Sequence, residues 1–162
     1  MALTASPLVR RALLVLVALV AVAQFVPVGR SNPPTDPRLS LIATARPPAP
    51  VAAALERSCH DCHSNQTRWP WYSRVAPVSW LVARDVSEGR AHLNFSEWSA
   101  LDTRRRSRRL EEICEMVTSG EMPLGIYLML HPDARLTPQD VTAICDWTRA
   151  EAAGSPGAPP AR

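Results

Sequence analysis

A chain of 162 residues allows about one domain with a core of its own, so its four cysteines need not be the framework of a small disulfide-held fold. The formal net charge of +3 equals the three arginines Arg10, Arg11 and Arg30, which stand in a stretch without acids, while residues 31–162 carry fifteen arginines against fifteen acids. The basic excess belongs to the N-terminus, which removes the main support for a nucleic-acid binder.

The first predicted element follows Arg10 and Arg11: an apolar run from Ala12 to Val28 within "RRALLVLVALVAVAQFVPV". A basic flank before such a run marks an export signal or a membrane anchor. "AVA" at Ala21–Ala23 offers a cleavage site, but the run continues through Phe25 and Val26 beyond it, which favours an uncleaved anchor over residues 1–30. Arg10 and Arg11 then stay in the cytoplasm, and the rest of the chain lies in the periplasm or outside. Residues 31–46, with "SNPPTDPRL", read as a proline-stiffened tether that holds the following domain off the membrane.

A domain over residues 47–152 is predicted to be all-α. "VAAALERSCHDCH" supplies helix formers up to a cysteine cluster. "APVSWLVARDVSEG" sets Val78, Leu81, Val82 and Val86 near helical spacing, with Gly89 read as the stop. A third helix is expected from about Ser96 to Ser119, with Leu110, Ile113, Cys114 and Val117 on one stripe and Gly120 after its end. The last opens at Thr137, Pro138 and Asp140, which suit a cap, a first turn and a positive dipole end, and turns Val141, Ile144, Cys145 and Trp147 inward. No stretch alternates long enough for a strand. Residues 153–162, within "GSPGAPPAR" and its approach, read as a disordered tail.

Cys59-His60-Asp61-Cys62-His63 is C-x-x-C-H. At this spacing two thiols can add to the two vinyl groups of one haem while the next histidine reaches its iron, giving a covalent haem c. One helical turn parts the sulfurs by about the width of the porphyrin edge. A zinc site would want a second, well-separated ligand pair, and Cys114 and Cys145, far apart in sequence, form no second knuckle. A thioredoxin-like dithiol would want a βαβ setting.

For the opposite face of the iron the candidates are Met122, Met116, Met129, His92, His131 or no protein group. Met122 is favoured, because Pro123 pushes it out of α geometry into an extended loop beyond Gly120. Met116 and Met129 read as apolar filler of helices, His131 before Pro132 as the better histidine, and His92 as a surface residue.

The stretches "CHDCHSNQTRWPWYSRVAPVSWLVARDVSEGRAHLNFSEW", "GEMP" at Gly120–Pro123 and "YLMLHPDARLT" at Tyr127–Thr137, with "NPP" at Asn32–Pro34, resemble the bacterial single-haem "haem-binding domain" family, which is cytochrome c-like. The resemblance covers about residues 25–148. It implies haem attachment at Cys59 and Cys62, ligation by His63, and Met122 opposite; it says little about the physiological partner.

Trp69, Trp71, Tyr72 and Trp80 are candidates for a haem wall or for ordinary core packing, and Arg74 and Arg90 for propionate partners or solvated cations. The run Arg104, Arg105, Arg106, Arg108 and Arg109 reads as a solvated helical face, paired with Glu111, Glu112 and Glu115, before a docking patch. Cys114 and Cys145 are left either as a disulfide of an oxidising compartment or as small buried hydrophobes. Asn94 and Trp98 have no reading from sequence alone. The resulting expectation is a membrane-tethered periplasmic carrier of single electrons between redox partner proteins, not an enzyme. A haem-based ligand sensor or weak peroxidase is the alternative, and it would want a distal acid or base from His92 or His131.

Overall fold

The computed structural model describes residues 6–154. In chain order its α-helices are α1 (Pro7–Ala23), α2 (Leu41–Ala45), α3 (Ala49–Ser58), α4 (His60–His63), α5 (Val78–His92), α6 (Thr103–Ser119), α7 (Gly125–Leu130) and α8 (Pro138–Ala152), joined by short 3-10 turns. No strand occurs among the described residues, as the sequence predicts. The chain divides into two compact units, residues 1–31 with 69–85, and residues 32–68 with 86–162, so α5 begins in the first and ends in the second.

In the first unit, Ser6 caps α1 by accepting from the Val9 amide, and Pro7 occupies the first turn, where its missing N–H costs nothing. The helix has 17 residues, none of them buried. That is about 25 Å, less than a typical hydrocarbon core of about 30 Å. No helix among the described residues is long and apolar enough to cross a membrane, so the expected spanning anchor is not found in that form. The reason lies at its end: Gln24 leaves the helical run and clamps Ala76, accepting from its N–H at 3.0 Å and donating to its carbonyl at 3.3 Å. Arg30 adds a 2.8 Å bond to the Ser73 carbonyl.

The second unit is organised by α6 against α8, joined by a disulfide between Cys114 and Cys145 with Cα atoms 4.8 Å apart. Of the two readings left open, the bridge is the one found. Leu110, Ile113 and Val117 of α6 meet Ile144 and Trp147 of α8 in a core that also holds Val51 and Leu55 of α3, Phe95 and Trp98. Each fully buried side chain of this size contributes about 1.5–3 kcal/mol. A capping box starts α8, the Thr137 hydroxyl taking the Asp140 amide and the Asp140 carboxylate taking the Thr137 amide. The same carboxylate receives Arg57 at 3.1 Å, which fastens α3 to the start of α8.

Two boundaries differ from expectation. Part of the segment read as a tether is core: Ser40 caps α2, and Leu41 is fully buried in the cluster. The proline pattern describes how that segment starts and stops, while the apolar residue inside it decides where it goes. The third helix begins at Thr103, because Asp102 accepts the Arg105 amide and caps it there; Phe95–Ala100 form a separate 3-10 turn capped by Asn94. Gly120 does follow α6, with a φ of 75° that suits glycine. Of the segment read as a tail, residues 155–162 lie outside the described residues.

Candidate functional site

Cys59 sits where α3 stops: its N–H still donates to Leu55, but its φ of −124° is no longer helical, and α4 starts beyond it as a single turn. The Cys59 carbonyl accepts from both Cys62 and His63, so the whole C-x-x-C-H segment is wound on one residue. The two thiols are not bridged and are partly exposed. Close surroundings desolvate Cys59, and with the repulsion of a charged Cys62 they push its thiol up to about 12 against the pull of Arg57, so it stays protonated at neutral pH.

His63 is oriented from behind. Its Nδ1 lies 3.0 Å from the Leu93 carbonyl, and a carbonyl only accepts, so Nδ1 carries the hydrogen and Nε2 keeps its lone pair. Phe95 stacks on the ring with centroids 6.0 Å apart. Burial lowers the His63 pKa, outweighing the raising effect of the Leu93 and Gly89 carbonyls, and the imidazole is neutral. A neutral ring fixed through one nitrogen is what a metal-bound histidine needs.

Gly89 is not a helix stop, since α5 runs through it to His92. A Cβ at Gly89 would stand 2.7 Å from the Cys62 carbonyl oxygen. Glycine therefore lets the helix backbone approach the motif closely enough for Leu93, one turn further on, to meet His63.

The loop after the motif is held by side chains from distant positions. Arg90 donates to the Ser64 carbonyl at 2.7 Å, to the Thr67 hydroxyl at 2.8 Å and to the Asn32 amide oxygen at 2.9 Å. Asn32 in turn donates to the Thr67 carbonyl. Arg90 thus clamps the loop through one backbone carbonyl and two side chains, and the asparagine of "NPP" belongs to the same clamp. Asn94 donates to the Asn65 side chain at 2.8 Å and caps the turn that buries Phe95 and Trp98, which gives "LNFSEW" its reading. Asp61, between the two cysteines, accepts from Arg68 through backbone and guanidinium and from the Tyr127 hydroxyl at 3.2 Å. This tie from the motif to α7 was missed in the sequence; an acid within C-x-x-C-H was its one signal.

Met122 stands half-buried in the loop between α6 and α7, as expected, before a cis peptide bond to Pro123, and its N–H donates to the Met116 carbonyl. Met116 is half-buried in α6, but Met129 is 80 % exposed and is not core filler. The His131 ring stacks on Tyr127 at 4.2 Å, and the exposed His92 takes a hydrogen bond from Arg109. Arg108 and Arg109 also converge on Glu112, and burial is outweighed by their bonds and charge, so its pKa is lowered; this part of the arginine run is a paired helical face, as read from the sequence. Trp69, Trp71, Tyr72, Arg74 and Trp80 belong to the first unit, whereas Cys59, Cys62, His63 and Met122 belong to the second. Trp71 is 76 % exposed and Trp80 40 %, so neither serves core packing.

Among the described residues no three His, Cys, Asp or Glu side chains gather as a site for a metal ion, which leaves the zinc reading without a ligand set. Two unbridged thiols one turn apart beside a neutral, oriented imidazole fit the donor set of a haem. No curated protein and no solved structure matches the chain. A family model described as the haem-binding domain matches residues 18–150, so that α3 to α7, the motif and its clamps all fall within the match: the chain belongs to the haem-binding domain family.

Proposed function

We propose that this chain carries single electrons through one haem c, held by thioether bonds to Cys59 and Cys62. The observation that carries the reading is the Nδ1 bond of His63 to Leu93, which leaves Nε2 as the proximal ligand. When bound, the cofactor supplies a one-electron iron couple. The protein's part is to keep the ring fixed: Leu93 and Phe95 set the imidazole, Gly89 lets α5 close on Cys62, and Arg90 holds the loop that follows. Met122 is the proposed distal ligand, its loop position and soft thioether favouring the reduced metal. Of the proposed haem wall, Trp69 and Tyr72 are half-buried and Trp71 is exposed. The apolar, unburied α1, although too short by itself to span, is the proposed tether to the cytoplasmic membrane, with the haem domain on the periplasmic side, where redox proteins are its partners.

Acid-acetone extraction of the purified protein tests attachment. Haem should stay with the protein and give the alkaline pyridine spectrum of two saturated vinyl groups; release of all pigment overturns covalent attachment. His92 accepts a bond from Arg109 and so is not poised as a distal base, which weighs against the peroxidase alternative.

A further inference from the structure

Three of the chain's five tryptophans, Trp69, Trp71 and Trp80, stand with Tyr72 in twelve residues of the first unit. Trp71, Val75, Val78, Trp80 and Leu81 are all exposed. This segment is fastened to the far end of α1: Gln24 holds Ala76 through two hydrogen bonds, and Arg30 holds Ser73. Phe25, 85 % exposed, and Val75 are each one residue from a clamped position, so exposed apolar surface continues from the apolar helix into the aromatic segment. Arg30, Arg74 and Arg84 accompany it against the single acid Asp85.

Tryptophan and tyrosine favour the boundary of a bilayer, where the ring leaves water and the N–H or O–H stays near polar groups. Arginines beside them favour anionic headgroups. A core role does not explain the exposure, and a protein partner does not explain why the patch begins where an apolar helix ends. We propose that Trp71–Leu81 is a membrane-interface contact, seated in the outer, anionic headgroup layer of the bilayer that α1 enters. The proposal rests on the tether reading and adds a second, independent contact with the lipid. The first unit then lies on the membrane surface.

The test uses the full-length holoprotein labelled with fluorotryptophan, in vesicles of phosphatidylethanolamine and phosphatidylglycerol, with Trp71→Phe and Trp80→Phe assigning the two resonances. Flotation with the vesicles reports the tether. Line broadening by lipids spin-labelled just below the headgroup, taken as the difference from unlabelled lipid so that any effect of the iron cancels, reports the interface. The expected result is flotation with loss of the Trp71 and Trp80 lines, while Trp98 and Trp147, both buried, keep theirs. Replacing the anionic lipid by phosphatidylcholine should weaken the effect. Flotation with Trp71 and Trp80 unbroadened overturns the interface and spares the tether. Absence of flotation overturns both. Trp71 and Trp80 shielded from a water-soluble spin label yet unbroadened by the lipid also overturn the proposal, and point to a protein or the haem as their cover.

Discussion

At Gly89 one hydrogen atom stands where every other residue carries a carbon, and the nearest obstacle is the Cys62 carbonyl oxygen, 2.7 Å from that carbon's position. Both groups are backbone, so neither can swing aside. Gly89→Ala should force α5 away from the motif and loosen the Leu93 contact to His63, although alanine is the better helix former by about 1 kcal/mol. The expected outcome is a chain of normal helicity with a several-fold lower haem-to-protein ratio, read from the Soret band against far-ultraviolet dichroism; unchanged loading would mean the approach is not needed. Met122→Ala should open the iron to carbon monoxide and lower its potential, while Met116→Ala and Met129→Ala leave the spectrum as it was. A carbon-monoxide-resistant Met122→Ala together with loss of the low-spin spectrum in His131→Ala would transfer the ligand to the histidine. These residues also show what a sequence discloses. Cys59, Cys62 and His63 stand out in the sequence because their spacing is local, and the structure winds the same segment on the Cys59 carbonyl. Gly89 was misread because its purpose is a contact with a residue twenty-seven positions away.

Among the elements, α8 has the most complete start, and its Asp140 offers a pH test. Bonds from Thr137 are the largest cause holding the Asp140 pKa below its ordinary value, with Arg57 adding to them against desolvation. A carboxyl whose folded pKa is depressed adds stability that is fully present above the unfolded value, near 3.8, and is lost as pH falls through the folded one. Asp140→Asn should therefore cost about 0.5–2 kcal/mol at neutral pH and flatten the acid limb of the stability curve, as followed by urea titration at several pH values. Most of this cap was legible, because Thr137, Pro138 and Asp140 are neighbours. The start of α6 was not: a 3-10 turn and an α-helix bring similar side chains to one face, and only Asp102 marks the boundary. Asn32, Asp61 and Asn94 also reach partners 29 to 66 positions away, and those distant ties have no local mark beyond the acid within C-x-x-C-H.

For the molecule as a whole, the bridge between Cys114 and Cys145 closes a separation of 31 residues across the α6–α8 pair. By chain entropy such a loop is worth about 3–4 kcal/mol, so Cys114→Ser with Cys145→Ser should lower the denaturant midpoint without altering the haem spectrum. Sequence left the bridge open because it gives the parity of cysteines and not the distance between their Cα atoms. Its presence sets a chronology for maturation. Cys59 and Cys62 are thiols in the same chain in which the other pair is oxidised. On the proposed haem c reading thioether formation consumes thiols, so the motif has to stay reduced while the other pair is oxidised. Burial alone does not separate the two pairs: Cys145 is buried, but Cys114 is only partly so, like the motif cysteines. On the proposed haem c reading the pairs are kept apart by consumption: with both motif sulfurs turned into thioethers, no thiol is left there to exchange with the bridge.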